Sequence, residues 1–382
     1  MSEAERAIER GDEPEPEAAE RAPGARRWIV SARFDLWILG LPLIASILSL
    51  ATLGVEGEEI PLWAFLSLIV AFDVAHVWAT LYLTYLDGRV VRARPWLLWL
   101  PLPLSFLIAY RLHAHSASLF WTLLAYVAIY HFIKQQWGFI ALYKARARER
   151  SRFDYALDRL TLWAGALGPV MLWHASPARQ FDWFNAGESF IGTIPEALRP
   201  DLLIAMGGIG ATYLIRQLTL WARGVPLNVG KNLWMASAWL SWSIGIGLSD
   251  HPLVSAAFLN LFHGIPFLAL VWYRSHRNAA IRPPQDRRGI FLRWITRRRR
   301  WLIFYALVLL PAILEETLWD GLVWRVYLPE LLSLGPASED QIGLSFWIAL
   351  LSLPQIVHYF LDAFIWKLDG SNPDLREALE LG

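Results

Sequence analysis

The chain of 382 residues contains no cysteine. That excludes disulfide frameworks, thiolate nucleophiles, iron–sulfur clusters and cysteine-ligated zinc sites at once. It says nothing about redox compartment. Charge is scarce too. Asp, Glu, Lys and Arg make up 18% of the residues, against about 25% in an ordinary soluble domain. The formal net charge is only +1, so the chain as a whole is no nucleic-acid binder. Internal repeats, low-complexity tracts and the Gly-rich strand–helix turn of nucleotide sites are also missing.

Apolar residues dominate what remains: 55% are hydrophobic and 22 are Trp, with a mean hydropathy of +0.35. A soluble fold cannot hide so many long apolar runs, and indoles suit the headgroup level of a bilayer. The runs are continuous rather than alternating, which disfavours a β-barrel. The expected fold class is therefore all-α, a polytopic transmembrane helix bundle of about ten spans.

The spans fall at 36–54, 61–86, 96–112, 117–143, 157–174, 201–222, 232–249, 252–273, 301–324 and 344–367. Each approaches the length that crosses roughly 30 Å of hydrocarbon. Residues 1–34 read as a disordered acidic tail with a juxtamembrane segment, 35–368 as the transmembrane domain and 369–382 as a short C-terminal tail. Residues 1–27 hold no apolar run and are neither a signal peptide nor a core element. With the N-terminus inside, the inner segments carry 27 Lys and Arg; the outer ones carry only Arg111, Arg179, Arg199 and Arg325. This positive-inside split places both termini in the cytoplasm, and the expected location is a bacterial inner membrane. The basic inner segment 274–300 reads as a topology signal or as a lipid-headgroup or partner patch. Arg216 and Gln217, inside the sixth span, read as counter-charges or snorkelling side chains, the latter preferred.

Four of the nine histidines stand apart. His76, His131, His263 and His358 lie in four spans that all run outside to inside, 15, 14, 11 and 14 residues from the outer ends. At 1.5 Å per residue these depths agree within about one helical turn. Each has polar company at helical spacing. Asp73 precedes His76 by three, and Thr80 and Thr84 continue that face towards Asp87. Gln135 follows His131 by four, and Asn260 precedes His263 by three. Gln355 and Asp362 flank His358, while Pro266 and Pro354 lie close to His263 and His358.

Carboxylates at mid-membrane are expensive and persist beside a partner or a wet cavity. Neutral imidazole is the commonest metal ligand and its second nitrogen usually donates to a carboxylate or carbonyl. His76, His131, His263, His358, Asp73 and Asp362 are thus the expected metal site, the two carboxylates being ligands or partners of the ligands. Gln135, Asn260 and Gln355 are expected to orient them or the substrate. Glu315 and Glu316 lie at nearly the height of Asp73, and either completes a carboxylate-rich site or meets outer water.

A His-rich, thiolate-free site suits iron best, one or two ions, ahead of zinc, manganese or copper. Buried in a bilayer, it points to an oxidoreductase that hydroxylates, desaturates or oxidatively cleaves a lipophilic substrate, with a separate protein as electron donor. The four isolated intramembrane histidines resemble those of membrane carotenoid-cleaving oxygenases in type only. The motifs surrounding them in that family are absent, as are the HxxxH and HxxHH boxes of membrane fatty-acid desaturases, so the sequence is assigned to neither. Two other readings stand beside this one. One is a bis-histidine haem electron carrier, though electron transfer across a bilayer favours haems at different depths. The other is a proton- or cation-coupled transporter using Asp73, Glu315 and Asp362.

The topology is tested by reporter fusions. Those at residues 150, 285 and 382 are expected to read cytoplasmic and those at 57 and 185 external. One inner fusion reading external overturns the map.

Overall fold

The computed structural model describes residues 27–53, 61–176, 194–249, 251–281, 287–327, 340–368 and 372–381. The acidic stretch 1–26 and most of the aromatic-rich outer loop lie outside the described residues. Within them the chain is all-helical, without strands. In chain order the helices are α1 (Ala32–Leu53), α2 (Leu62–Leu83), α3 (Pro95–His115), α4 (Ala117–Arg146), α5 (Arg152–His174) and α6 (Glu196–Ala222). There follow α7 (Val229–Trp242, running on as a π-helix Ser243–Leu248), α8 (Pro252–Ile281), α9 (Arg287–Ile295) and α10 (Arg298–Trp324). The last are α11 (Gln341–Leu351), α12 (Leu353–Ile365) and α13 (Pro373–Ala378).

Local chemistry sets many of the starts. The side chains of Ser116, Ser151, Asn228 and Asp340 accept from backbone N–H groups in the first turns of α4, α5, α7 and α11. Proline occupies the first turn of α3, α6, α8 and α12, where its missing N–H costs nothing.

Six helices, α2, α3, α4, α6, α8 and α10, are long and apolar enough to cross a membrane, and α11 with α12, bent by 41°, makes a seventh as a pair. That is fewer than the ten spans read from sequence; α1, α5 and α7 make the difference. In α5 the first turns carry Arg152, Asp154, Asp158 and Arg159, which shortens its apolar run.

Helix α8 is the axis of the molecule. Of its apolar window 89% is buried, against 11% for α6 at the periphery. It packs on α1, α2, α9 and α13. The outer helices turn Leu214, Ile215, Leu218 and Trp221 of α6 and Leu302, Leu310 and Leu314 of α10 outward. So large an exposed apolar belt suits hydrocarbon rather than water.

At one end of the bundle a buried ion network ties α4, α5 and α7. Lys144 pairs with Asp158 and, at 3.1 Å, with Glu149; Lys231 pairs with Glu149 at 3.0 Å and Asp158 at 3.1 Å. Asn228 donates to Glu149 at 2.9 Å. Beside it, Arg216 of α6 donates to Asp154 of α5 at 2.7 Å, so Arg216 is a counter-charge and not a snorkelling side chain. Two lysines against two carboxylates leave no net charge to bury.

The C-terminal residues pack into the same end. Leu375 and Leu379 are fully buried in a cluster with Ile29, Tyr143 and Trp234. Arg146 donates to the Glu380 carbonyl at 2.6 Å, and Arg94 to Asn372 at 3.0 Å. Leu375, Leu379 and Leu381 of the C-terminal segment thus pack into the core.

Replacing Lys231 by Met leaves Asp158 and Glu149 to share one ammonium group. Breaking a buried network from one side is expected to lower stability by about 3–5 kcal/mol, read as a shift of the unfolding midpoint of purified protein in denaturing detergent.

Candidate metal centre

The four mid-span histidines meet. Their ligand atoms all lie within 4.8 Å of one another, and all four side chains are buried. Nε2 of His76 is 3.1 Å from Nε2 of His358, which is 3.2 Å from Nε2 of His131. The His263 ring lies edge-on to His76 and His131, with centroids 4.4 and 5.1 Å away.

Helix irregularities aim these side chains. In α2 the run Phe65–Val74 is π-helical and ends two residues before His76. In α8 a π-helical stretch, Ala256–Asn260, ends three residues before His263. Such wide turns re-aim the side chains that follow and recur at functional sites. The bend between α11 and α12, where Pro354 sits in the first turn of α12, turns His358 inward. Gly264 lets α8 touch α2: a Cβ there would lie 2.4 Å from the carbonyl oxygen of Phe72. The contact seats Gly264 on the Phe72–Asp73 backbone and sets His263 against His76.

Aromatic rings fix the imidazole planes. Phe132 stacks on His263 at 3.8 Å, Tyr359 covers His131 at 4.3 Å, and Phe267 stands edge-on to both His76 and His358 at 5.4 Å. Thr80 Oγ1 lies 2.7 Å from His358 Nδ1. With Nδ1 donating to Thr80, the lone pair of His358 sits on Nε2, directed at the other rings.

Hydrogen bonding alone does not satisfy this cluster. An imidazole nitrogen offers one proton or one lone pair, yet His358 Nε2 faces two nitrogens. Both nitrogens of His263 are buried without a hydrogen-bond partner among the described residues. Each buried unsatisfied group costs about 1–3 kcal/mol. A cation resolves both features. Nitrogens about 2.1 Å from one ion are ~3.0 Å apart at right angles and ~3.4 Å apart at the tetrahedral angle, which brackets the two Nε2 spacings of 3.1 and 3.2 Å. The four histidines fit a metal ion.

The two aspartates take different places. Asp73 Oδ1 is 3.6 Å from His76 Nδ1, on the side of the ring away from the cluster. Asp362 Oδ2 is 4.0 Å from His131 Nε2, the nitrogen that faces the cluster, and its other oxygen is buried without a partner. Asp362 thus lies beside the four-histidine group without belonging to it, and Asp73 lies behind His76, beyond hydrogen-bond distance.

The remaining candidates are spread around this centre. Gln135 donates to the His263 carbonyl at 2.8 Å, in the turn that Pro266 loosens. Gln355 donates to the Tyr359 hydroxyl at 2.5 Å and so acts on the ring over His131. Glu315 is buried and accepts from Trp78 Nε1 at 2.7 Å, which turns it away from the imidazoles. Glu316 is half-buried, within electrostatic reach of Asp73 and Glu315. No hydrogen bond links Asn260 to the four rings among the described residues. Tyr359, Phe132, Phe267 and Gly264 were not singled out by sequence reasoning. Gly264 and Tyr359 directly follow a histidine in HGIP and HYF, and that adjacency was the available signal.

Compared with protein-family models, curated proteins and solved structures, the chain matches none.

The close approach at Gly264 is tested by Gly264→Ala. Overpacking against backbone is expected to destabilise by about 1–3 kcal/mol. Gly138→Ala on α4, where a new Cβ meets nothing within 4 Å, is expected to leave the unfolding midpoint unchanged. Equal midpoints for both variants refute the packing constraint.

Proposed function

We propose that this chain is a membrane-embedded, metal-dependent oxidoreductase acting on a lipophilic substrate. His76, His131, His263 and His358 hold a non-haem metal ion, with Asp362 as a further ligand and Asp73 orienting His76. The observation that carries the reading is the convergence of three Nε2 atoms at 3.1–3.2 Å beside an imidazole with no partner for either nitrogen. An all-nitrogen and carboxylate donor set without thiolate favours iron over zinc, manganese or copper. Iron held there supplies one-electron chemistry with dioxygen, which hydroxylation, desaturation and oxidative cleavage all require.

The protein's own part is to bind, orient and exclude. Phe132, Phe267 and Tyr359 wall the imidazoles with apolar rings and keep bulk water out. Thr80 holds the tautomer of His358. Surrounded by helices, the centre receives its substrate from the hydrocarbon, which selects lipid, isoprenoid or quinone-like molecules. Electrons come from a separate donor protein, and nucleic acid has no part. In the same reading the bundle crosses a bacterial inner membrane about ten times, α1, α5 and α7 included, with both termini in the cytoplasm.

A haem site is disfavoured by crowding. A porphyrin needs its plane clear between two axial imidazoles, and four histidines whose ligand atoms lie within 4.8 Å of one another leave no gap of that size. For a transporter, no specific observation speaks.

Metal analysis of protein purified without chelators tests the proposal. About one iron per chain is expected, falling by more than half in each of His76→Ala, His131→Ala, His263→Ala and His358→Ala, with membrane insertion unchanged. Zinc alone from iron-replete cells overturns the iron assignment, a Soret band the non-haem site, and full metal retention in all four variants the site itself.

A further inference from the structure

The strongest unassigned feature lies at the end of the bundle that carries the ion network. Helix α9 and the turn after it bring together Arg287, Arg288, Arg293, Arg297, Arg298 and Arg299, all exposed, with no acidic residue between 287 and 300. Other arginines at this end have carboxylate partners: Arg89 pairs with Asp87 and Arg277 with Glu380. None of the six forms an ion pair among the described residues. Arg288 reaches only the Tyr85 carbonyl, at 3.3 Å.

The same surface is apolar. Ile290, Phe291 and Trp294 of α9 and Trp301 of α10 are exposed beside these arginines. Arg300 lies over the Trp294 ring at 4.2 Å. Trp96 and Trp99, at the same end of α3, are exposed as well. Indoles collect at the headgroup level. A surface bathed in water does not favour such apolar side chains, and one in hydrocarbon does not favour six guanidinium groups. The boundary between the two accommodates both.

Helix α9 is also anchored. Leu292 and Ile295 are buried in a cluster with Phe267, Phe304 and Val308. His276 Nδ1 lies 2.9 Å from the Thr296 carbonyl. A charge signal for topology needs arginines alone; it needs neither a docked helix nor an outward aromatic face.

We propose that α9 and the 297–299 turn form an interfacial binding site for anionic phospholipid headgroups. The guanidinium groups bond phosphate oxygens, and Ile290, Phe291 and Trp294 enter the acyl boundary. On the positive-inside orientation this is the cytoplasmic leaflet, where anionic lipid is the source of phosphate. The site is independent of the metal reading.

The test reconstitutes the full chain in phosphatidylcholine bilayers with a trace of spin-labelled phosphatidylglycerol or spin-labelled phosphatidylcholine. The protein-associated fraction is expected to be at least threefold larger for the anionic probe. It should approach parity in Arg287→Gln/Arg288→Gln/Arg293→Gln and in Arg297→Gln/Arg298→Gln/Arg299→Gln. Because the chain has no cysteine, Ala93→Cys reports by labelling whether each variant inserts as the parent does. A second arm leaves the protein unaltered: about 1 M salt, with a Debye length of roughly 3 Å, should remove most of the preference. Equal association of both probes with the parent chain overturns the proposal. So does a preference that survives both triple variants or high salt. An acidic protein as the true partner would appear as that first result.

Discussion

Four imidazoles at one point inside an apolar bundle are the constraint around which the rest is arranged. Water would satisfy such a group of nitrogens, but apolar packing excludes it. Phe132 on His263, Tyr359 on His131 and Phe267 against His76 and His358 remove solvent and leave ring nitrogens facing one another. The two orphaned nitrogens of His263 are the residue of that conflict. A buried polar network that is only partly satisfied is worse than an apolar core. A cluster of this kind is therefore stable in proportion to what binds it, and a cation is the partner that suits nitrogens on every side.

Bringing the rings together has required departures from regular helix in each contributing element except α4. A straight α-helix fixes the direction of each side chain by its place in the turn. The π-helical run before His76, the shorter one before His263 and the bend at Ser352 before His358 each re-aim a side chain after a helix whose outer face is set by lipid. Gly264 then removes the last obstacle, since any Cβ there meets the Phe72 backbone. The regular α4 supplies His131 and the framework residues Phe132 and Gln135 in consecutive turns, so one straight helix serves as the reference against which the others are bent.

This division explains what could be read from the sequence. Depth along a helix depends on 1.5 Å per residue and on span starts, so the equal depth of His76, His131, His263 and His358 was legible. Direction around a helix depends on the π-turns, and the runs FLSLIVAFDV and AAFLN look like ordinary apolar helix. Hence the different stations of Asp73 and Asp362 were not legible, nor the turning of Glu315 towards Trp78. The all-helical class followed from the apolar runs, but the span count did not. Helices α1, α5 and α7 mix apolar length with charges or short runs. The packing of the C-terminal leucines was not legible for a related reason. Its leucines are few and separated by charges, so their burial beside Ile29 and Tyr143 rests on contacts far away in sequence.

The charges show a second layer of the same logic. Mid-bundle, neutral ligand atoms gather where a cation would sit. Nearer the basic end, Lys144, Lys231, Glu149 and Asp158 cancel one another in burial, which suits a place where no ligand is available to do so. At the surface beyond, Arg287, Arg288 and Arg293 of α9 form no ion pair among the described residues. Helix α9 links the outer layer to the inner one physically, because Leu292 and Ile295 share a cluster with Phe267, whose ring faces His76 and His358. The wall of the histidine centre is thus continuous in packing with α9.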